Sequence, residues 1–409
     1  MGLRYAHAVG CRAMCSTGEP ECGRDDGVFN PCCVFARGAD GDIVVASQRR
    51  GAGWQRATVT HATRPLLFAL LSSLIESDGD VELELGDEER AALQSIGLWV
   101  SPDELPARVG FQLPSIDAPR TPELHASDDD AARSWIVHPG LSPLAPAHVE
   151  VPALVSEAGA AVWLTDARTG VAAPYAGGAL DAALRACVPG QPPPLDGEAC
   201  AALRRAGLLL TSDELGRQKA ARDAELALAA RTFAASKFAI VPRLLDAASL
   251  AALQRYYRAL VADGWLRFGD AQVDRRHVQH NEPIARLFLT SLTDLMQAVV
   301  GEPLKASYAY FACYREGSIL TSHIDRAQCE FSISFLVDYE PTPEDKAPWP
   351  LWVREREEDE AIPLYQRIGD GIVYRGRQLH HSRTALHAGH RSTHIFFHYV
   401  PSDFAGPLD

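Results

Sequence analysis

A histidine and an aspartate stand two residues apart, as His323 and Asp325, in the segment SILTSHIDRAQCEFSISFLVDY at 318–339. The alternation of apolar residues in this segment predicts a buried β-strand. Successive side chains of a strand point to opposite faces, so His323 and Asp325 share one face and can bind one metal ion together. Two ligands leave such a site incomplete, and the pair therefore predicts a third ligand elsewhere in the chain.

Two adjacent histidines, His380 and His381, are the candidates for that third ligand. They end the segment GDGIVYRGRQLHHSR, in which Gly369 and Asp370 predict a turn and the apolar residues after them predict a strand. Two histidines and one carboxylate on one side of a metal form the facial triad of non-haem iron(II) oxygenases, which leaves positions open for a co-substrate and oxygen. The residue types therefore predict an iron(II) site.

An arginine follows at Arg391, in the segment GHRSTHIFFHYV. The guanidinium donates two parallel hydrogen bonds, a geometry that fits the far carboxylate of a dicarboxylic co-substrate. Thr393 lies on the same strand face and adds a hydroxyl donor. Arg383 is the alternative for the same role.

The elements that must position these residues differ along the chain. Apolar spacing predicts helices over 213–238, over 246–265 with Asp246 as N-cap, and over 282–301, closed by a glycine. Beyond residue 303 short alternating strands predict a β-barrel or jelly roll. The predicted class is α+β, with a C-terminal β-barrel or jelly roll and flanking helices preceded by two small α+β modules.

The two modules are inferred from an internal duplication. LGDEERAALQSIGLWVSPDEL at 85–105 and LDGEACAALRRAGLLLTSDEL at 195–215 are identical at 10 of 21 positions without a gap. Each copy predicts a short helix that ends at Gly97 or Gly207 and a strand after it. The Pro-, Asp- and Ser-rich stretch between them is typical of a linker. The predicted domains are residues 1–110, with a Cys-rich N-terminus, 135–220, and 221–409.

Composition excludes several classes of function. A formal net charge of -14 argues against nucleic acid as the principal partner. The chain has no apolar run long enough to span a bilayer and no recognisable secretion signal, so we expect no membrane association and a cytoplasmic location. Five cysteines fall within the first 33 residues; we expect reduced thiols, with a zinc site as the alternative.

Residues 235–403 resemble the 2-oxoglutarate and iron(II) dependent dioxygenases, and the resemblance implies a C-terminal double-stranded β-helix (jelly roll). ACYREGSILTSHID is similar to the Ala-Cys-Tyr strand and His-x-Asp motif of the prolyl-hydroxylase-like branch, a resemblance that implies that Tyr314 lies near the co-substrate. YRGRQLHHSR is similar to bacterial oxygenases in which Tyr-x-Gly precedes His-x-Arg. That pattern implies His381 as the third iron ligand, with His380 as the runner-up.

The resemblance also implies the reaction. Iron(II), 2-oxoglutarate and O2 would be the cofactors, with ascorbate helpful in vitro, and an unactivated C–H bond would be hydroxylated. Because position 325 keeps its carboxylate, hydroxylation is favoured over halogenation. The N-terminal modules favour an amino-acid side chain of a peptide or protein as substrate. The alternatives are a free amino acid or natural-product intermediate, or a non-catalytic binding protein with the same fold; homodimerisation through the modules is a further candidate role.

Overall fold

The chain folds as a mixed α+β protein, as predicted. A computed structural model describes the following ranges of the chain: 5–6, 12–13, 27–30, 32–37, 40–76, 82–83, 85–105, 109–117, 134–156, 161–194 and 197–408. The predicted cysteine cluster lies largely outside these ranges, and its two described members, Cys32 and Cys33, are buried. No helix of the described ranges is both long and apolar enough to cross a membrane.

The N-terminal unit has its own hydrophobic core, in which two helices cover one face of an antiparallel sheet. The sheet has the strand order β1-β4-β5-β6, and β3 pairs with β8. Its elements are β1 (Tyr5–Ala6), β2 (Arg12–Ala13), β3 (Val28–Phe29), β4 (Cys33–Arg37), β5 (Ile43–Arg49), β6 (Gly53–Val59), α1 (Pro65–Glu76), β7 (Glu82–Leu83), α2 (Asp87–Gln94), β8 (Trp99–Val100) and a 3-10 turn (Pro102–Glu104).

The second unit contains a three-stranded antiparallel sheet, β10-β11-β12, and the pair β9-β13. Its elements are β9 (Trp135–Val137), β10 (Leu141–Ser142), α3 (Ala153–Ser156), β11 (Ala161–Thr165), β12 (Ala172–Ala176), a 3-10 turn (Gly178–Leu180), α4 (Asp181–Arg185), α5 (Gly197–Arg205) and β13 (Leu209–Thr211).

In each unit, a strand that precedes three antiparallel strands pairs with the last strand of the unit: β3 pairs with β8, and β9 pairs with β13. The duplicated segments supply the last helix and strand of each, and Gly97 and Gly207 adopt φ values of 72° and 69° after those helices. A positive φ is readily available to glycine, which explains why glycine ends each helix. The division into tandem modules remains a prediction that this order supports.

The second unit shares one continuous hydrophobic core with the C-terminal part of the chain. The Tyr175 hydroxyl donates to Asp246 Oδ2 at 2.5 Å, and Arg286 forms an ion pair of 2.6 Å with Glu150. Phe111 contacts Tyr256 edge to face. The sequence predicts a separate module after the linker-like stretch. In the structure, this second unit packs directly on the C-terminal helices.

The C-terminal part places helices before and between strands, in two antiparallel sheets. The helix predicted over 282–301 is two helices, α8 and α9. The elements are α6 (Ser212–Ser236), β14 (Phe238–Val241), α7 (Ala247–Ala262), β15 (Arg267–Phe268), β16 (Arg276–His280), α8 (Pro283–Ser291), α9 (Thr293–Val300), β17 (Leu304–Arg315), β18 (Leu320–His323), a 3-10 turn (Ala327–Cys329), β19 (Phe331–Glu340), β20 (Leu351–Arg354), β21 (Ile362–Leu364), β22 (Gly371–Tyr374), β23 (His380–Arg383) and β24 (Arg391–Pro401).

The larger sheet has the order β14-β22-β19-β24-β17-β16-β15, and the smaller has β18-β23-β20-β21. Asp246 caps α7, as predicted, by accepting from the backbone N–H groups of Ala248 and Ser249. The helices cover one face of the larger sheet, where Ile395 and Phe397 join their core. The opposite face carries Phe396 and faces the smaller sheet across a cavity. The jelly-roll topology remains a prediction.

Candidate active site

His323, Asp325 and His381 converge at one point of the smaller sheet. His323 ends β18 and His381 lies directly opposite on β23, because the two strands pair at this position. Asp325 Oδ1 lies 3.4 Å from His381 Nε2 and 3.8 Å from His323 Nε2. One ligand atom of each residue lies within 4.8 Å of those of the other two. The pairing of the strands therefore brings the predicted metal ligands together.

Backbone carbonyls fix the orientation of both histidine rings. His323 Nδ1 lies 2.8 Å from the Thr321 carbonyl oxygen, and His381 Nδ1 lies 3.0 Å from that of Leu379. A carbonyl accepts a hydrogen bond only, so each Nδ1 carries the proton and each Nε2 keeps a lone pair. Both Nε2 atoms face Asp325, as metal ligands would require.

Asp325 is ionised in this environment. Burial favours its neutral form, but the neighbouring imidazoles of His381, then of His398 and His323, favour the anion whenever they are protonated, and together they lower the pKa of Asp325 to about 2. Ser332 Oγ donates to its Oδ2 at 3.1 Å, and the Gly376 carbonyl accepts from its backbone N–H at 2.8 Å. The carboxylate is therefore held as an anion between two fixed imidazoles.

Gly376 leaves the space that Asp325 occupies. A Cβ at position 376 would lie 2.2 Å from Asp325 Oδ2 and 2.5 Å from the Cys329 carbonyl oxygen. Contacts this short do not occur in folded proteins, so any side chain at position 376 would displace the carboxylate. This is a packing reason for the glycine of the Tyr-x-Gly turn.

The triad opens into a cavity of about 410 Å³ between the two sheets. This volume falls in the range of small-molecule sites. Both sheets and the loop before β16 contribute to its lining, which includes Gln272, Arg276, Tyr308, Tyr310, Tyr314, Arg326, Cys329, Tyr374, Phe396 and His398. The wall is therefore aromatic and polar, with two arginines.

The structure distinguishes the two adjacent histidines. His381 is buried beside Asp325, whereas His380 is half-buried on the other face of β23, where its Nδ1 lies 3.9 Å from Glu357 Oε1. Neighbouring residues of a strand point to opposite faces, so His380 and His381 cannot lie on the same face of β23. Only His381 is placed to complete the triad.

The structure does not bring Arg391 and Thr393 into the cavity, contrary to the expectation from sequence. Arg391 forms an ion pair with Glu340, and both Arg391 and Thr393 line a small cleft against α7. The reason is the alternation along β24: these odd-numbered positions share the helix-covered face with Ile395, whereas Phe396 faces the cavity. Neither residue is among those that line the cavity of the triad in the described part of the chain.

Arg383, the alternative cation, lies on the same face of β23 as His381. Its side chain is buried, donates to the Trp349 carbonyl at 2.8 Å and to Ser334 Oγ at 3.3 Å, and lies 4.7 Å from the centre of the Trp349 ring. No carboxylate of the described ranges forms an ion pair with it, and its Nε has no hydrogen-bond partner there. Burial lowers the pKa of Arg383 to about 10, and a buried guanidinium without an anion is costly.

Tyr314 lines the cavity, where its hydroxyl accepts a hydrogen bond of 2.8 Å from Arg276 Nη1. Arg276 is buried and forms an ion pair of 2.7 Å with Asp270. The same loop brings Gln272 Nε2 within 3.0 Å of His323 Nε2. Sequence reasoning missed Asp270 and Gln272, which belong to a loop without any recognisable motif.

The sequence of β24 contains a pattern that would have identified its cavity residues. His398 lies on the cavity face, and the apolar positions Phe397 and Tyr399 beside it lie on the helix-covered face. A polar residue that alternates with buried apolar ones predicts two different faces. Applied to Arg391 and Thr393, the same alternation would have placed them with the helices.

The donor set fits a divalent iron ion. Two neutral imidazoles and one carboxylate, all of them next to one cavity, match the two-histidine, one-carboxylate site with open positions. Arg383, as a buried cation without an anionic partner in the described ranges, fits the far carboxylate of a dicarboxylate co-substrate.

Comparison with known proteins gave matches among solved structures only. No protein-family model and no curated protein matches the sequence. The non-heme alpha ketoglutarate dependent epimerase SnoN from nogalamycin biosynthesis is similar at 15% identity and a TM-score of 0.37, over 44% of this chain and 84% of SnoN. A Pseudomonas putida prolyl-4-hydroxylase is similar at 16% identity and a TM-score of 0.35, over 42% and 97%. A Burkholderia pseudomallei oxidoreductase of the 2OG-Fe(II) oxygenase family is similar at 16% identity and a TM-score of 0.34, over 42% and 89%.

Proposed function

We propose that this chain is a 2-oxoglutarate-dependent iron(II) dioxygenase that hydroxylates an unactivated C–H bond. His323, Asp325 and His381 would hold the iron. The observation that carries the proposal is the convergence of these three side chains on one cavity, with both Nε2 atoms directed at the carboxylate. Bound iron(II) would supply the redox chemistry that couples decarboxylation of 2-oxoglutarate to oxidation of the substrate by O2.

The chain's own groups would orient the co-substrate. Arg383 would bind its far carboxylate through the fork of the guanidinium, since it is buried and lacks an anionic partner in the described ranges. Tyr314 would line the co-substrate site, with its hydroxyl fixed by Arg276. Trp349, over which Arg383 lies, would keep water away from this end of the site.

The substrate proposed is an amino-acid side chain of a peptide or protein. The N-terminal unit contacts the chain just before the cavity loop, where Trp54 Nε1 donates to the Ala262 carbonyl at 3.3 Å. That loop includes Gln272, so the N-terminal unit would hold a long substrate near the site. The second unit packs on α7 and α8, on the far face of the larger sheet, and would serve as a scaffold.

The first test is an anaerobic titration of the iron(II)-loaded full chain with 2-oxoglutarate. The expected result is the weak visible charge-transfer band of the chelate, retained in His380→Ala and lost in His381→Ala. The two variants remove neighbouring imidazoles, so loss of the band in only one of them identifies the ligand. Absence of the band in the wild-type protein would overturn the proposal.

The substrate class needs a second assay. Succinate formation is measured with a mixture of synthetic peptides and, in parallel, with the free amino acids. The proposed substrate predicts succinate above the uncoupled background with peptides alone. Stimulation by free amino acids alone would instead assign a small-molecule substrate, and the same chemistry would then act on a free amino acid or natural-product intermediate.

A further inference from the structure

We propose that Asp325, Cys329 and His398 form a second metal site, which binds a thiophilic divalent cation of the zinc class beside the triad. One ligand atom of each lies within 4.8 Å of those of the other two. Cys329 and His398 are 2% and 6% exposed, and both line the cavity of the triad. The site is thus enclosed by protein and still reachable through the cavity.

Strand pairing brings these residues together. His398 lies opposite Ser332 in the pairing of β24 with β19, and Cys329 ends the 3-10 turn that follows Asp325. Ser332 Oγ donates to Asp325 Oδ2 at 3.1 Å and lies 2.9 Å from His398 Nδ1. With its proton given to Asp325, Ser332 accepts from His398 Nδ1–H, which leaves the Nε2 lone pair of His398 for a metal.

The donor types select the class of ion. A thiolate, an imidazole and a carboxylate are ligands of zinc sites, and three protein ligands leave a fourth position open. The triad, in contrast, contains no sulfur. On binding, the metal replaces the thiol proton of Cys329, which passes to solvent, so the thiolate and Asp325 are both neutralised by one cation.

Neighbouring groups stabilise the sulfur as a ligand. The Tyr308 hydroxyl lies 3.0 Å from Cys329 Sγ and accepts a hydrogen bond of 3.2 Å from Arg326 Nε, and the Arg326 guanidinium also interacts with the Cys329 thiol. A hydroxyl donor and a cation beside a thiolate lower the cost of burying its charge.

Asp325 is the residue that the two sites share. Its Oδ1 faces His323 and His381, whereas its Oδ2 faces Ser332. One carboxylate can bridge two cations through its two oxygens. The second site does not depend on the proposed function, because its ligand set requires no 2-oxoglutarate.

The experiment is a titration of the metal-free full chain with Co²⁺, with the near-ultraviolet thiolate-to-cobalt charge-transfer absorption as the readout. Because the chain has other cysteines, the quantity measured is the difference between the wild type and Cys329→Ser. We expect Cys329→Ser to lose the absorption of one thiolate ligand and Zn²⁺ to displace the cobalt from the wild type. Cys313→Ser is the matched control, since Cys313 is equally buried but faces α7.

Identical spectra for the wild type and Cys329→Ser would overturn the proposal, as would failure of Zn²⁺ to compete. If Cys329→Ser does not fold, as judged by circular dichroism, His398→Gln provides the same test. His381→Ala should keep the thiolate band. A protein that lacks the 2-oxoglutarate chelate but shows this band would refute the proposed function and support the second site, so the two failures are distinguishable.

Discussion

His381 and Arg383 lie on the same face of β23, and both side chains are buried, at 3% and 2% exposed. Two residues along a strand span about 6.6 Å, so one short strand offers a metal ligand and a cation at this separation. Under the proposed function, a short dicarboxylate bound at the metal through one end would meet Arg383 with the other. Arg383 therefore lies on the same strand as His381, and not on β24.

Replacement of Arg383 by Gln should weaken 2-oxoglutarate binding. Loss of a charge-assisted hydrogen bond to the carboxylate predicts an increase in Kd of roughly 10- to 100-fold. Arg391→Gln, the matched control, removes a partly exposed ion pair with Glu340 and should change the Kd by less than about threefold. The Kd is measured by anaerobic titration, and a larger effect in Arg391→Gln than in Arg383→Gln would contradict the assignment.

Gly376→Ala should impair metal binding. The new Cβ would meet Asp325 Oδ2 at 2.2 Å and push the carboxylate away from the two imidazoles. We expect the affinity for iron(II) to fall by about 10- to 100-fold, as when the groups that orient a ligand are lost. Gly216→Ala is the control, because a Cβ there meets nothing within 4 Å. Isothermal calorimetry distinguishes the two, and equal affinities in both variants would refute the packing argument.

Tyr175→Phe should destabilise the second unit and the C-terminal part together. The variant loses the hydroxyl that donates to Asp246 at 2.5 Å, and a hydrogen bond to a charged group contributes about 1.5–3 kcal/mol. The free energy of unfolding is measured with urea. Tyr365→Phe, at a side chain 39% exposed, should change it by less than about 0.5 kcal/mol. A separate transition at a lower urea concentration in Tyr175→Phe would show that the second unit unfolds alone, which would contradict this prediction.

Acid should destabilise the protein in part through His394. Burial, and then the charge of Arg383, keep the pKa of His394 well below 6.5 in the folded state. The unfolded chain therefore binds this proton first, so the contribution to stability is complete above pH 6.5 and is lost as the pH falls towards the folded pKa. His394→Gln should flatten the decline of the free energy of unfolding below pH 6.5.

Urea unfolding of His394→Gln at pH 7.5 and 5.0 checks this expectation. His387→Gln, at an exposed histidine, controls for the loss of an imidazole and should follow the wild-type pH dependence. An unchanged slope in His394→Gln would mean that other buried groups dominate the acid response.

The sequence by itself determined the local features of this protein. The close spacing of His323 and Asp325 brings the two side chains together at the end of β18, just beyond which Asp325 lies. Asp246 as a helix cap and Gly97 as a helix end follow from side-chain hydrogen bonding and backbone freedom, which are also local. The mixed α+β class followed from the spacing of apolar residues, which is helical before residue 303 and alternates as in strands after it.

Only the tertiary structure decided which distant residues meet. The pairing of β18 with β23 selects His381 and leaves His380 outside. The larger sheet is covered by helices on one face, which turns Arg391 away from the cavity and leaves Arg383 as the buried cation. Strand pairing and the choice of covered face depend on contacts between residues far apart in the chain, and no local pattern contains that information.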